Sequence, residues 1–459
     1  MEIETLADKK ICILGLGKSG LACVKKLSGL GASLMASESK SPDKIPQGTA
    51  EFLKTLEIPL ETGGHTDKFL CESDLIVASP GVYLDIEAVE KAREKGIQII
   101  SEVELAFSFF TKPVIAVTGT NGKTTTTTLI GEILKNEGYK TVVAGNIGLP
   151  LISVDDTDFD YIVAEISSYQ LEGIDKFRPR VSLILNLTRD HLERYKGMER
   201  YGQAKARIFM NQTKQDFLVF NGEDPLIAPL IKDAVCQKIQ FSLKRASEKG
   251  AFVNSGYICR LDENYVEAIC AVSDLRIKGE HNIENCLAAA SACLALKVSK
   301  FAIAKTFKEF AGVEHRIETA GQINGVEFIN DSKATNPDST VAALKTLGKD
   351  KNIILILGGR DKGGDLEVMC GVIKNTVRSV VLIGEAAERF NNALNKIGFN
   401  NINQAGNLEE AVKSSFEMSR PGDKVLLSPA CASFDMFDDY EHRGKAFKEA
   451  VIKLKHENA

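Results

Sequence analysis

The chain has 459 residues, 44% of them hydrophobic and 26% charged, with a net charge of −5. That balance reads as a soluble globular protein of about three domains, at ~150 residues each, and it excludes nucleic acid as a bulk electrostatic partner. No apolar run approaches the ~20 residues of a membrane span, and the acidic start Met1 to Asp8 lacks the apolar stretch of a signal peptide. The ten cysteines are scattered, with no C-x-x-C pair, and read as reduced core thiols in a cytoplasm.

Residues 1–102 alternate strand and helix. Lys10-Ile-Cys-Ile-Leu14 is a buried strand, followed by Gly15-x-Gly17-x-x-Gly20 and a helix. A second strand, Ser33 to Glu38, ends in an acid, and the strand-like runs Asp74 to Gly81 and Ile97 to Ile100 follow with a helical pattern, Glu87 to Lys95, between. This predicts a small doubly wound α/β unit. The glycine string alone marks either a dinucleotide site or a tight strand–helix joint. The segment is short for a full dinucleotide domain, so it reads as a Rossmann-like unit holding a nucleotide moiety without redox chemistry.

Residues 103–312 carry the most specific string. The strand Val114 to Val117 feeds Gly119-Thr120-Asn121-Gly122-Lys123-Thr124-Thr125, and a helix begins through Leu129, Ile130 and Ile133. Glycines let backbone N–H groups close on phosphate oxygens, and the helix N-terminus adds positive potential. Lys123 neutralises the β/γ-phosphates and the Thr124 hydroxyl binds Mg²⁺. The spacing is tighter than the common phosphate loop, since Val117 stands where a glycine is usual, but the strand–turn–helix context is kept. A purely structural turn would need neither the lysine nor the threonine.

Further along, Tyr161 to Glu165 is a strand ending in an acid. Asn186-Leu-Thr-Arg-Asp190-His191 follows another strand, Val181 to Leu187. In open α/β sheets ligands gather beyond strand carboxyl ends, so Glu165 and His191 are candidates for a metal or phosphate role. Lys205 sits between alanines on a helix and, on pattern alone, reads as a solvated charge. From 241 to 280 the texture predicts short antiparallel strands, and then a helix from Asn282 to Leu296.

Residues 313–459 predict a third α/β sheet, with strands at Val326–Ile329, Ile353–Leu357, Ser379–Ile383 and Asp423–Leu427. Post-strand loops carry His315-Arg316, Asp331-Ser-Lys333-Ala-Thr335, Gly358-Gly-Arg-Asp-Lys362-Gly-Gly364 and Ser428 to Asp435. Their cations and hydroxyls suit a small anionic substrate.

Together these strings resemble the Mur ligases of peptidoglycan synthesis over nearly the whole chain and in order. The carriers are Gly119 to Thr125, Gly145-Asn146-Ile-Gly148, Glu165 to Glu172, Asp190-His191, His281-Asn282, His315-Arg316, Asp331 to Asn336 and Leu427 to Asp435. The resemblance implies an α/β fold of three domains: a Rossmann-like N-terminal domain that binds a UDP-substrate, a central P-loop-type ATPase domain and a Rossmann-like C-terminal domain for the amino acid. The last two strings imply the D-glutamate-adding branch: ATP-dependent amide formation between D-glutamate and UDP-N-acetylmuramoyl-L-alanine, through an acyl phosphate, in a cytoplasmic monomer. By family role, Gly119, Thr120, Asn121, Gly122, Lys123, Thr124, Thr125, Asn282, Arg316 and Asp331 bind ATP, and Lys123, His191 and Lys205 are catalytic. Thr124 and Glu165 hold one Mg²⁺; His191 and a carbamylated Lys205 hold a second. Ser19, Glu38, Gly81 and Asn146 face the UDP-substrate, and Lys333, Thr335, Lys362, Ser433 and Tyr440 contact D-glutamate. Folylpolyglutamate synthetase, which shares the loop but lacks the opening segment, is a rival. A nicotinamide dehydrogenase built on Gly15 to Gly20 is another, but it leaves Lys123 without purpose.

Overall fold

The computed structural model describes residues 6, 8–190, 192–244, 249–262, 265–361, 363 and 365–458. It divides into two compact units, the larger comprising residues 1–187, 195–274 and 284–307 and the smaller 188–194, 275–283 and 308–459.

The larger unit holds two sheets. The first contains β1 (Lys10–Leu14), β2 (Ser33–Glu38), β3 (Leu60–Thr62), β4 (Leu75–Ala78) and β5 (Gln98–Ser101), in the order β3-β2-β1-β4-β5. Every pair is parallel. Four of the five residues of β1 and all four of β4 are buried, as parallel strands covered on both faces require. The order reverses beside β1, so the glycine turn after it lies at the switch point where open sheets bind ligands. Gly20 is there because it must be: a Cβ would lie 2.0 Å from the Gly15 carbonyl oxygen.

The second sheet comprises β6 (Val114–Thr118), β7 (Thr141–Gly145), β8 (Tyr161–Glu165), β9 (Val181–Ile184), β10 (Phe217–Asn221), β11 (Gln237–Ser242), β12 (Gly250–Asn254), β13 (Tyr257–Asp262) and β14 (Tyr265–Ala271). Its order is β14-β13-β12-β11-β10-β9-β6-β8-β7. The expected antiparallel patch is present as β12-β13-β14, whereas β11 joins β12 in parallel. Strand β6 is flanked by β8 on one side and β9 on the other. Whatever follows β6 therefore meets whatever ends β8 and β9.

Buried acids bind the end of the first sheet to the second. The Glu104 carboxylate accepts the backbone N–H groups of Asp175, Lys176 and Phe177 at 2.8, 2.9 and 2.9 Å. Glu102 accepts the Ile152 N–H at 2.7 Å, and Ser101 N–H donates to the Gly173 carbonyl at 2.8 Å. One continuous apolar core runs from Leu6 and Val24 through Ile100 and Val103 to Ile162 and Leu218.

The smaller unit holds β15 (Glu318–Ile323), β16 (Val326–Asn330), β17 (Ile353–Gly358), β18 (Val377–Ile383), β19 (Ile402–Gln404) and β20 (Lys424–Leu427), ordered β15-β16-β20-β17-β18-β19. Only β15 is antiparallel to its neighbour. Separate apolar clusters cover the two faces of this sheet. All ten cysteines are free; nine are buried and Cys71 is half-buried. Among the described residues no helix is long and apolar enough to cross a membrane.

A buried carboxylate that accepts three backbone N–H groups contributes charge-assisted bonds that an amide cannot replace. Glu104→Gln is expected to lower the unfolding free energy by about 2–3 kcal/mol in urea melts; a change under about 0.5 kcal/mol, the range of an ordinary surface substitution, would show that this joint is dispensable.

Candidate active site

Strand β6 ends at Thr118, and the helix Lys123–Glu137 starts four residues beyond Gly119. The turn between them needs its glycines. Gly119 has φ +152 and a Cβ would lie 2.9 Å from Leu185 Cβ; Gly122 has φ +84 and a Cβ would lie 2.2 Å from Asn285 Oδ1. Lys123 folds back, its Nζ donating to the carbonyls of Gly119 at 3.0 Å and Thr120 at 2.8 Å. The turn leads into the start of this helix, where the helix dipole places positive potential suited to an anion.

Two neighbours complete the turn. Glu165, at the end of β8, is 2% exposed; its Oε2 accepts the Thr124 hydroxyl at 2.7 Å and its Oε1 accepts the Asn146 amide at 2.9 Å. A buried carboxylate and a threonine hydroxyl on a helix N-terminus form a hard oxygen donor set, which fits Mg²⁺. At the end of β9, Asn186 fastens the other side of the turn. It accepts the Asn121 N–H at Oδ1 (2.8 Å), donates from Nδ2 to the Asn121 carbonyl (3.0 Å), and accepts the Thr120 N–H at its own carbonyl (3.0 Å). Sequence reading missed this role, for which an asparagine after a strand gives no signal.

The reading of Lys205 as a solvated charge is overturned. Lys205 is 1% exposed, and its Nζ donates to the Gly119 carbonyl at 2.8 Å and lies 4.6 Å from the Tyr201 ring centroid. The helix Met198–Ala206 buries the face bearing Tyr201, Gly202, Ala204 and Lys205. Small neighbours permit that close approach, so the alanine context signals packing rather than exposure. Tyr201 also reaches the loop, its hydroxyl 3.2 Å from Thr120 Oγ1. His191 and Lys362 lie outside the described residues.

In the first sheet, Glu38 closes the glycine turn after β1. Its Oε2 accepts the Leu16 N–H at 2.8 Å and its Oε1 the Lys40 N–H at 3.1 Å. Burial alone would raise its pKa, but these N–H groups, Ser39 and the Lys40 charge together hold it below the usual range. Ser19 is half-buried at the start of the helix Lys18–Ser28, and Gly81 is exposed just past β4. Asn146 is exposed, with its amide on Glu165.

The smaller unit gathers His281, Arg316, Asp331 and Lys333 around one small recess. Arg316 is carried between two residues in the left-handed region, His315 at φ +63 and Ile317 at φ +46. For the β-branched Ile317 that conformation is strained, the kind of cost that accumulates at functional sites. Asp331 is 4% exposed; its Oδ2 accepts the Ser428 hydroxyl at 2.7 Å and its Oδ1 the Ile317 N–H at 3.3 Å. Asn282 is buried and donates to the Lys278 carbonyl at 2.8 Å. Lys333 Nζ donates to the Tyr440 hydroxyl at 3.0 Å, while Ser433 is buried and Thr335 half-buried.

The loops that carry these groups are joined by a residue sequence reading did not single out. Arg443, 1% exposed, donates to the Ser332 hydroxyl (3.0 Å) and carbonyl (2.8 Å) and to the carbonyls of Cys431 (3.2 Å) and Ala432 (3.3 Å). Its planar fork spans the loop after β16 and the loop after β20. Burial pushes its pKa down to about 10.

Burial raises the Asp331 pKa to about 7, against the lowering pull of Ser428, Arg316 and the Ile317 N–H. A folded-state value above the unfolded one means its stabilising share is complete below the ordinary range near 3.8 and is lost as pH rises through about 7. His281, pushed down to about 3 by burial and by Arg316, slopes the opposite way over the acid range. Comparing Asp331→Asn with the native chain isolates the first effect. Between about pH 4 and pH 7 the native unfolding free energy is expected to fall, relative to the variant, by up to ~1.4 kcal/mol per pH unit; parallel urea-melt curves would refute it.

A strand, glycine turn and lysine, with a buried acid at the end of the adjacent strand, define a phosphate-loop enzyme of the nucleoside triphosphate-dependent class. Residues 9–101 match the MurD-like N-terminal domain of Mur ligases, 117–293 the Mur ligase middle domain and 315–431 the glutamate ligase domain of Mur ligases. The chain belongs to the Mur ligase family. It is 45% identical to the UDP-N-acetylmuramoylalanine–D-glutamate ligase of Thermoanaerobacter sp. over 454 residues, covering 98% of this chain and 99% of that one. In fold it is similar to the UDP-N-acetylmuramate–alanine ligase of Thermotoga maritima, with a TM-score of 0.61 at 21% identity, covering 97% of this chain and 100% of the other. It is likewise similar in fold to a Mycobacterium tuberculosis folylpolyglutamate synthase complexed with ADP, with a TM-score of 0.58 at 15% identity, but that likeness covers 74% of this chain and 90% of the synthase.

Proposed function

We propose that the chain is an ATP-dependent ligase that adds D-glutamate to UDP-N-acetylmuramoylalanine in peptidoglycan synthesis. The observation that carries this reading is the buried Thr124–Glu165 pair under a lysine-bearing glycine turn, in a chain that aligns end to end with a D-glutamate ligase. The acceptor carboxylate oxygen attacks the γ-phosphorus of ATP, the bond to ADP breaks, and an acyl phosphate forms. The D-glutamate amine then attacks the acyl carbon and loses a proton, and the tetrahedral adduct expels phosphate. Positioning and charge neutralisation dominate such phosphoryl transfer.

The roles follow. Lys123 and the turn and helix start, Gly119 to Thr125, hold the triphosphate; Asn282, Arg316 and Asp331 take the nucleoside. Thr124 and Glu165 would hold one Mg²⁺, and His191 with a carbamylated Lys205 a second. Carbamylation turns a lysine into an oxygen ligand and needs its neutral amine. Bound Mg²⁺ supplies neutralising charge at the phosphate oxygens. Ser19, Glu38, Gly81 and Asn146 serve the UDP-substrate, and Lys333, Thr335, Lys362, Ser433 and Tyr440 serve D-glutamate. Residues 1–102, 103–312 and 313–459 are the three functional domains of a cytoplasmic monomer. The five-stranded sheet that opens the chain favours this reading over a folylpolyglutamate synthetase.

Phosphate release is expected to depend jointly on D-glutamate and UDP-N-acetylmuramoyl-L-alanine, and Lys123→Ala is expected to reduce it at least ~10²-fold with the melting temperature retained. Release with either substrate omitted, or near-native turnover in the variant, counts against the assignment. Lys205→Met, which keeps the buried volume but no ammonium, is expected to slow turnover ~10²-fold while MgATP still binds. Native enzyme given labelled bicarbonate should show a carbamate signal that the variant lacks; an active native enzyme without that signal would contradict the carbamate.

A further inference from the structure

We infer that Asn186 is a positioning residue for the phosphate-binding turn, acting on ATP through the peptides of Thr120 and Asn121. The inference rests on the proposed ATP site and deepens it. The backbone N–H groups of Thr120 and Asn121 are already spent on Asn186, at 3.0 and 2.8 Å, and the Asn121 carbonyl accepts its Nδ2 at 3.0 Å. These two N–H groups therefore face the end of β9, not a phosphate. The turn then leads through Gly122 into the helix Lys123–Glu137, whose N-terminal end carries the positive potential that suits a triphosphate.

The reciprocal pair holds Asn121 on both sides of its Cα, through the N–H of the 120–121 peptide and the carbonyl of the 121–122 peptide. A side-chain amide has a donor and an acceptor in one plane, so it matches a peptide edge as no hydroxyl or carboxylate can. With the peptide held, the following Gly122 is locked at φ +84, the conformation that aims the helix start. Leu185 adds a steric stop, since a Cβ on Gly119 would lie 2.9 Å from its own Cβ, and Leu185 N–H donates to the Thr118 carbonyl at 3.0 Å. Residues 185 and 186 thus serve as a template against which the turn is cast. Preorganised donors are worth more than donors that must be ordered on binding.

The test is calorimetric titration of the full-length protein with MgATP, with steady-state kinetics alongside, for the native chain, Asn186→Ala and a control, Ser182→Ala. Ser182 lies on β9, the strand that leads to Asn186, fully buried, with its hydroxyl on Gln212 at 2.9 Å and no bond to the turn. Asn186→Ala is expected to weaken MgATP binding about tenfold or more and raise the KM for ATP, with the KM for D-glutamate within about twofold of native. Ser182→Ala, at comparable loss of melting temperature, keeps native ATP affinity. Equal MgATP affinity in Asn186→Ala and the native chain overturns the inference, as does an equal loss in Ser182→Ala. A native chain that binds no MgATP overturns the ATP site itself and this inference with it. If Asn186→Ala does not fold, Asn186→Ser, which keeps one short polar group but cannot pair with a peptide edge, is read in its place with the same outcomes.

Discussion

One carbonyl oxygen, that of Gly119, accepts hydrogen bonds from two ammonium groups, Lys123 at 3.0 Å and Lys205 at 2.8 Å. Two unit charges a few ångströms apart in a partly desolvated site repel by about 3–4 kcal/mol. The negative charge of a bound triphosphate would offset that repulsion. Conversion of Lys205 to a carbamate would turn repulsion into attraction and add an oxygen ligand beside the Thr124–Glu165 pair. The same oxygen ties the helix Met198–Ala206 to the turn, so the electrostatics of the site and the packing of that helix are set by one contact.

The topology makes this arrangement economical. Because β6 lies between β8 and β9, the loop after it receives Glu165 from one side and Asn186 from the other. Neither residue needs a long excursion, and both sit on the ends of buried strands that cannot drift. The smaller unit follows the same logic: Arg443 spans two post-strand loops, and the left-handed backbone at His315 and Ile317 presents Arg316. Strain and buried charge coincide there, and each is tolerable because close packing and hydrogen bonds surround it.

The phosphate turn was legible in the sequence because its chemistry is local: glycine, lysine and threonine act on backbone they adjoin. Glu165 was legible because an acid ending an apolar strand has a place to go. Lys205 was not, since its burial depends on contacts with residues 86 positions away. Arg443 looks like one more cation on the helix Tyr440–Glu457, and only the two loops it spans reveal its use. Among strands, β3 and β19 have three residues each and lack any apolar period to read. The parallel strands of five or six residues, Lys10–Leu14 and Ile353–Gly358, stood out because burial on both faces demands unbroken apolar runs.

The joint formed by Ser101, Glu102 and Glu104 bears on how such chains diversify. Their polar groups reach forward in sequence to Gly173, Ile152 and the backbone of 175–177, so the seam between the opening sheet and the ATPase sheet is stitched by the helix that follows β5. Recombination that swapped the opening sheet for a foreign one would keep the ATPase intact only if the crossover fell before β5, leaving 98–107 with the downstream gene segment. A crossover at the apparent boundary after residue 102 would replace Glu102 and leave the Ile152 N–H without its acceptor, which makes the upstream module heritable as a unit only when cut short of its own last strand.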